Sequence, residues 1–317
     1  MLAQQPPEGG FEVIVADGMS EDGTREILQR LAAEDSRLGV VDNPERVTPC
    51  GMNHGVAAAR GRYVAIAGAH NRYAPDYVRQ CIAVLEQTGA DNVGGAVRCE
   101  GRTRVQRAIA AAHHSAFGAG GARWHNTDYE GIADTVFGGM YRRDVFDRIG
   151  GFDPELIRNQ DDEFNLRLTR AGGKIWQSPR VRSWYYPRET IAALFQQYFQ
   201  YGYWKVRVIR KHRLPASVRH LVPATFVLAV VMLPLAALVW PLAGLAWFAL
   251  VTTYFTIAMI AAIDASRRFG WGLFWLMPLV FACYHVGYGL GFIVGLIDML
   301  SARHARRPYS STSTRRI

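Results

Sequence analysis

Two acidic positions sit where a sequence can do chemistry. Asp17 closes the apolar run Phe11-Glu12-Val13-Ile14-Val15-Ala16 and is followed by Gly18 and a polar turn, Ser20-Glu21-Asp22-Gly23-Thr24. In an open α/β sheet, ligands bind outside the carboxyl ends of strands. A carboxylate there accepts hydrogen bonds from a base N–H or a ribose hydroxyl. The same turn also reads as a helix N-cap by Ser20 or Asp22, and the two readings are compatible. The second position is the run Asn159-Gln160-Asp161-Asp162-Glu163-Phe164-Asn165. Three adjacent acids repel one another, which raises a carboxylate's pKa toward a value useful for proton transfer. Its plain alternative is an acidic first turn complementing a helix dipole.

Three weaker signals accompany them. Gly138-Gly139 ends an apolar stretch, and glycines there allow a backbone to approach a ligand closely; an ordinary strand-end turn is the alternative. Gln197-Tyr198-Phe199-Gln200-Tyr201-Gly202-Tyr203-Trp204-Lys205 mixes aromatic faces with basic groups. It reads as a surface for stacking and for offsetting phosphate charge, or as an amphipathic helix lying on a membrane. His70 follows the run Tyr63-Val64-Ala65-Ile66-Ala67. Its imidazole is either a metal ligand or a polar loop residue, with Asn71 and Asp76 as further oxygens.

The elements that must position these residues follow from periodicity. Residues 11–16, 38–41, 63–67, 92–97 and 136–141 read as strands. Residues 24–33 (Ile27, Leu28 and Leu31 on one face), 53–60, 75–88, 144–149, 161–171 and 191–212 read as helices, and 106–121 as a helix running into a glycine loop. Strands alternating with helices predict an α/β domain with a mostly parallel sheet.

Of the 317 residues, 50% are hydrophobic and 20% charged. The mean hydropathy of −0.02 averages two unlike regions. Residues 221–240, 244–263 and 273–297 are almost uncharged. A 20-residue helix spans about 30 Å, the thickness of a bilayer's hydrocarbon core. Residues 1–212 therefore read as one domain, 213–300 as a membrane region and 301–317 as a basic disordered tail. The formal charge of +9 is concentrated at Lys205–Arg219 and in the tail, where it attracts anionic membrane lipid. Without an aromatic-interleaved basic motif, no nucleic-acid partner is expected. The basic stretch before 221 and Arg267-Arg268 favour the cytosol. Two crossings satisfy both. A third would put the tail outside, so the last segment re-enters, lies in the interface or breaks the rule. Cys50, Cys81, Cys99 and Cys283 form no close pair, as suits a reducing compartment.

Taken together, EVIVADGMSEDGT and DNPERVTPCGMNHGVAAARGRYVAIAGAH resemble family 2 glycosyltransferases of the GT-A fold, in the succinoglycan-type exopolysaccharide branch. The resemblance covers roughly residues 11–212. It implies a Rossmann-like mixed sheet, a nucleotide-sugar donor (UDP-linked), a lipid-linked or polysaccharide acceptor, a divalent cation (Mg²⁺ or Mn²⁺), and a multi-pass protein of the inner cell membrane with its catalytic domain in the cytoplasm. It implies nucleotide binding by Asp17, Gly18 and Asn53. It makes Asp161 the general base that takes the acceptor's proton in an inverting transfer. Gly138, Gly139, Asp162, Gln197, Tyr201, Trp204 and Lys205 fall on the acceptor or sugar side. Two departures qualify it. The family's metal acid falls on Gly68, leaving His70 as one ligand, and Gln160 replaces the first acid of the helix motif. The family's first strand is also expected upstream of Met1. A catalytically degenerate membrane scaffold partnering an active transferase is the second reading.

Overall fold

The computed structural model describes residues 1–69, 71–120, 125–213 and 217–301. Residue 70 and most of the expected tail lie outside them. The described residues form two compact units, one of residues 1–98 and 126–185, the other of residues 99–125 and 186–301. The boundary expected at residue 212 thus has a different counterpart: the aromatic helix and an internal excursion both belong with the apolar helices.

In the first unit, β1 (Val13–Asp17), α1 (Thr24–Glu34), β2 (Leu38–Asp42), α2 (Thr48–Ala58), β3 (Tyr63–Ala65), β4 (Asn71–Tyr73), α3 (Tyr77–Thr88), β5 (Asn92–Gly95) and β6 (Val97–Cys99) follow in order. In the second unit lie α4 (Arg104–His113) and α5 (Ala116–Ala119). The first unit resumes with β7 (Gly131–Ile132), β8 (Phe137–Arg142), α6 (Asp144–Ile149), α7 (Gln160–Arg170), β9 (Ile175–Gln177) and β10 (Ser183–Tyr185). Helix α2 starts five residues before the expected position, because Pro49 stands in its first turn, where no N–H is required.

Among the described residues three sheets are present, ordered β1-β2, β4-β10-β6 and β3-β8-β5-β9-β7. Parallel pairing joins β1 to β2 and β5 to β9. The pairs β3-β8, β5-β8, β7-β9 and β4-β10 are antiparallel. The sheet is therefore mixed, as the resemblance implied, and the mostly parallel expectation is corrected. Its antiparallel members β4, β7 and β10 are two or three residues long, too short for a period to register in sequence. The main core under the sheet is aromatic. Phe152 stacks on Phe164 with ring centroids 4.5 Å apart, and Tyr141 and Phe146 pack on Phe164 at 5.3 and 5.2 Å.

The second unit continues with α8 (Ile191–His212), α9 (Val222–Ala237), α10 (Pro241–Phe269), α11 (Met277–Ala282) and α12 (Tyr288–Leu300). A 3₁₀ segment, Trp271–Leu276, precedes α11, and a π-helical turn, Cys283–Gly287, joins α11 to α12. Among the described residues three stretches are long and apolar enough to cross a membrane: Val218–Ala237, Pro241–Phe269 and Trp271–Leu300. Glycines bring α8 against α12. A Cβ at Gly287 would lie 3.1 Å from the Phe195 carbonyl oxygen and one at Gly295 2.7 Å from that of Tyr203, while one at Gly291 would overlap the Phe199 carbonyl.

Adding one methyl at that contact should force two backbones apart. Gly291→Ala is expected to destabilise the protein by roughly 1–3 kcal/mol, the usual cost of overpacking. Gly272→Ala meets nothing within 4 Å and should leave stability within about 0.5 kcal/mol of the parent. Thermal unfolding of the two variants in detergent measures the contrast.

Candidate functional site

Asp17 ends β1 and is buried. Its Oδ1 accepts from the Ser20 hydroxyl at 2.6 Å and its Oδ2 from the Ser20 backbone N–H at 3.0 Å. Arg25 donates to the same Oδ2 at 3.2 Å and to Asp42 at 2.7 Å, so one guanidinium joins the ends of β1 and β2. Burial works to raise the Asp17 pKa, but the Ser20 hydrogen bonds and the Arg25 charge outweigh it and hold the carboxyl below its ordinary value. An ionised carboxylate offers about four lone-pair positions, and three donors reach Asp17. The sequence reading missed Arg25. Its signal was an arginine in the first turn of α1, against the helix dipole.

Helix α2 links this corner to the acidic helix. A Cβ on its Gly51 would lie 3.4 Å from Ala16 and 2.9 Å from the Asn43 amide. Two residues on, the Asn53 amide donates to the Phe152 carbonyl at 2.8 Å and accepts from the Phe152 N–H at 2.8 Å. Both ends of the Asn53 side chain are engaged by the turn that leads toward α7.

The three acids of α7 have different surroundings. Glu163 is fully buried and pairs with Arg167 at 2.8 Å, and Arg167 also donates to the carbonyls of Ile149 and Gly151. Asp162 is half-buried, and Asp161 is exposed, accepting from the Asp162 N–H at 2.9 Å. One turn below, the buried Asn165 holds the helix to the sheet. Its Oδ1 accepts from Asn92 at 3.0 Å and from the Tyr141 hydroxyl at 3.1 Å, and its amide donates to Thr135 at 2.9 Å. Burial pushes the Tyr141 phenol up, and the charge of Asp161 pushes it the same way. Asn92, Tyr141 and Arg167 were not singled out from sequence. An asparagine within the strand-forming Asn92–Gly95 was the available signal.

Internal packing alone requires Gly138 and Gly139 to be glycine. Gly138 has φ +61°, and its carbonyl accepts a hydrogen bond from Tyr77. A Cβ on Gly139 would lie 2.5 Å from Asn92 Oδ1. Near Gly68, the Asn71 amide nitrogen lies 2.7 Å from where a Cβ at 68 would stand, and Tyr73 accepts from the Gly68 N–H at 2.9 Å. Among the described residues no group of three or more acidic, histidine or cysteine side chains could hold a metal. The side chains described around Gly68 therefore do not make a cation site; His70 lies outside the described residues.

The remaining expected positions are in the second unit. Gln197 donates to the Tyr201 hydroxyl at 2.9 Å, and both are half-buried. Trp204 and Lys205 are buried, with the Arg207 guanidinium 4.7 Å from the Trp204 ring centre.

The model of Glycosyl transferase family 2 matches residues 1–150. Succinoglycan biosynthesis protein ExoA of Rhizobium meliloti (strain 1021) is 37% identical over 214 residues, 67% of this chain and 64% of that protein's length. A dolichyl N-acetyl-alpha-D-glucosaminyl phosphate 3-beta-D-2,3-diacetamido-2,3-dideoxy-beta-D-glucuronosyltransferase of Methanococcus voltae is 24% identical over 303 residues, 93% of this chain and 90% of its own. Mannosyltransferase PcManGT from Pyrobaculum calidifontis, solved in complex with GDP-Man and Mn²⁺, shares the fold with a TM-score of 0.56 at 17% identity, covering 96% of this chain and 81% of its own. The chain belongs to glycosyltransferase family 2 and has a GT-A-like mixed α/β fold.

The Asp17 clamp makes stability depend on pH with a definite sign. The folded-state pKa is depressed, so the contribution is present above the unfolded value of about 3.9 and is lost as pH falls through the folded value. Asp17→Asn should be less stable than the parent by roughly 1–3 kcal/mol at neutral pH. Denaturant unfolding from neutral to acid pH should show this difference shrinking once pH drops below about 4.

Proposed function

We propose that the chain is an inverting transferase that moves a hexose from a nucleotide sugar, UDP-linked, to a lipid-linked or polysaccharide acceptor. The observation that carries this reading is the division of labour on α7. Glu163 and Asn165 are buried and fix the helix, while Asp161 is exposed at its start. That is the arrangement a general base needs: a rigid mount and an accessible carboxylate.

In this scheme Asp161 takes the proton from the acceptor hydroxyl as its oxygen attacks the anomeric carbon. The bond from that carbon to the diphosphate breaks on the opposite face, and the nucleoside diphosphate leaves with the bonding pair. Asp17 and Gly18 hold the nucleotide at the carboxyl end of β1, where the remaining acceptor position on Asp17 suits a base N–H or ribose hydroxyl. Asn53 acts through the Phe152 turn. Gly138, Gly139 and Asp162 face the sugar, and Gln197, Tyr201, Trp204 and Lys205 serve the acceptor side, with Gln197 and Tyr201 the more accessible pair.

Several relatives bear on the substrates. ExoA is named for succinoglycan biosynthesis, which suits a polysaccharide acceptor. The Methanococcus protein is named for a dolichyl phosphate-linked sugar, which suits a lipid-linked one. PcManGT carries Mn²⁺ beside GDP-Man. A divalent cation, Mg²⁺ or Mn²⁺, would neutralise leaving-group charge, but the described residues give it no carboxylate at position 68. The steps assigned here therefore run through side chains alone. A cytoplasmic catalytic domain on a multi-pass inner-membrane anchor completes the proposal.

Membranes containing the full chain, incubated with radiolabelled UDP- and GDP-hexoses with and without Mn²⁺, should transfer label to lipid or polymer. Asp161→Asn should lower turnover by about 10²–10⁴-fold while keeping the parent's unfolding profile. Full activity in that variant removes the base assignment. No turnover of any donor by the parent favours the scaffold reading.

A further inference from the structure

The third apolar stretch, Trp271–Leu300, is close to the other two in hydropathy but not in surroundings. In its most apolar window 44% of the residues are buried within the protein, against 11% for each of the others. The helices that cover it carry charge. At its start, Arg104 of α4 donates to the Gly272 carbonyl at 2.8 Å. In its middle, the Tyr284 hydroxyl donates to the Ile109 carbonyl of α4 at 3.3 Å, and the Tyr284 ring stacks on Tyr198 of α8 at 4.0 Å. Near its end, the Tyr203 hydroxyl of α8 donates to Asp298 at 2.7 Å.

The glycine contacts give the direction. Gly287, Gly291 and Gly295 meet Phe195, Phe199 and Tyr203 in turn, so α8 and α12 run parallel, side by side. Over and beyond that stretch α8 carries Gln196, Gln197, Gln200, Lys205, Arg207, Arg210 and Lys211. If α12 crossed the bilayer, α8 would have to accompany it. Gln196, Gln197 and Gln200 would then lie along the spanning stretch. The basic run from Lys205 onward, which follows the Gly295–Tyr203 contact, would have to be carried through the bilayer. There each lysine or arginine costs roughly 2.5–3.5 kcal/mol at the centre on insertion scales.

The α9–α10 pair behaves differently. Buried positions on α9 are Ala224 and Val227, near its start; on α10, apart from Ala243, they are Ala258, Ala262, Ala265 and Ser266, near its end. Those are the same end of an antiparallel hairpin. Beyond it, Val231, Met232, Leu235, Leu238, Val239, Leu245 and Phe248 are exposed. One end of the hairpin is thus embedded in protein and the other presents apolar side chains outward, as lipid requires.

We propose that α9 and α10 are the chain's two membrane crossings. The stretch Trp271–Leu300 lies in the bilayer interface on the side that holds residues 1–212. The partner of its outer edge is the headgroup–acyl boundary. Trp271, Trp275 and Leu279 are exposed there, next to Arg267 and Arg268 at the end of α10. Tryptophan favours that depth, and arginine favours anionic headgroups. This assignment keeps every basic cluster of the chain on one side, and it does not depend on the transferase reading.

Protease protection in sealed vesicles of one orientation tests it, with epitope tags placed before Met1, after Val239 and after Ile317 in separate full-length chains. The two terminal tags should share one accessibility and the tag after Val239 should show the opposite. A C-terminal tag that behaves like the Val239 tag overturns the proposal, as do three tags that behave alike. Val239→Cys, labelled by a membrane-impermeant maleimide against the parent chain as background, reads the hairpin turn without an insertion. Labelling from the side that holds residues 1–212 would also overturn it.

Discussion

The anchoring of α7 is the constraint on which the candidate base depends. An exposed carboxylate on the first turn of a helix is only as well placed as the helix beneath it. Here the helix is fixed at three levels: the Glu163–Arg167 pair with its carbonyl contacts, the Asn165 amide network and the Phe164 ring. Removing one partner of a fully buried pair costs about 3–5 kcal/mol, and Arg167 keeps a fifth of its side chain exposed, so its pair falls below that range. Its value lies in geometry, since Arg167 also reaches the Ile149 and Gly151 carbonyls and so sets the turn before α7. Asn53 grips the next residue of the same turn from α2.

Packing in the second unit depends on an opposite device, the removal of side chains. Gly202 on α8 and Gly289, Gly291 and Gly295 on the third stretch let backbones approach where a Cβ would collide, and Gly287 lies where one would be tight. On α8, Tyr198 stacks on Tyr284 and Tyr203 donates to Asp298, while Trp204 and Lys205 are buried.

Much of this was legible in the sequence, for separable reasons. The long helices α3, α7 and α8 were readable because their apolar periods extend over three turns or more. The acidic run and the Asp17 turn stood out because charged residues beside apolar strands are conspicuous. The short antiparallel strands escaped, since two or three residues carry no period. The partners of the site escaped for another reason. Arg25 meets Asp42 across 17 positions and Asn92 meets Asn165 across 73, and no local pattern encodes such a pair. Residue type also misleads where two causes give one type. Gly138 and Gly139 suit a ligand, yet Tyr77 and Asn92 already exclude a side chain at both.

The two ends of the candidate site are consequently held by different physics. Asp161 rests on α7, held by the buried Phe164 ring and Asn165 network and by an ion pair whose carboxylate is fully buried, and buried pairs are screened less by salt than exposed ones. Asp17 rests on β1, whose run Val13-Ile14-Val15-Ala16 has the composition of a strand covered on both faces but is half-exposed here. Val13 and Asp17 make the outermost bonds to β2, so alternation turns the backbone groups of Ile14 and Ala16 toward the other edge, where no strand pairs among the described residues. The neighbouring α1 buries no residue and leaves Ile27 and Leu31 exposed. Apolar burial therefore contributes little to fixing Asp17, and the polar clamp of Ser20 and Arg25 has to supply the precision. A clamp of that kind weakens with added salt, because Arg25 is partly exposed and exposed charges are screened over about 8–10 Å at ordinary ionic strength. The proposed nucleotide contact at Asp17 should accordingly be more sensitive to ionic strength than the position of the candidate base.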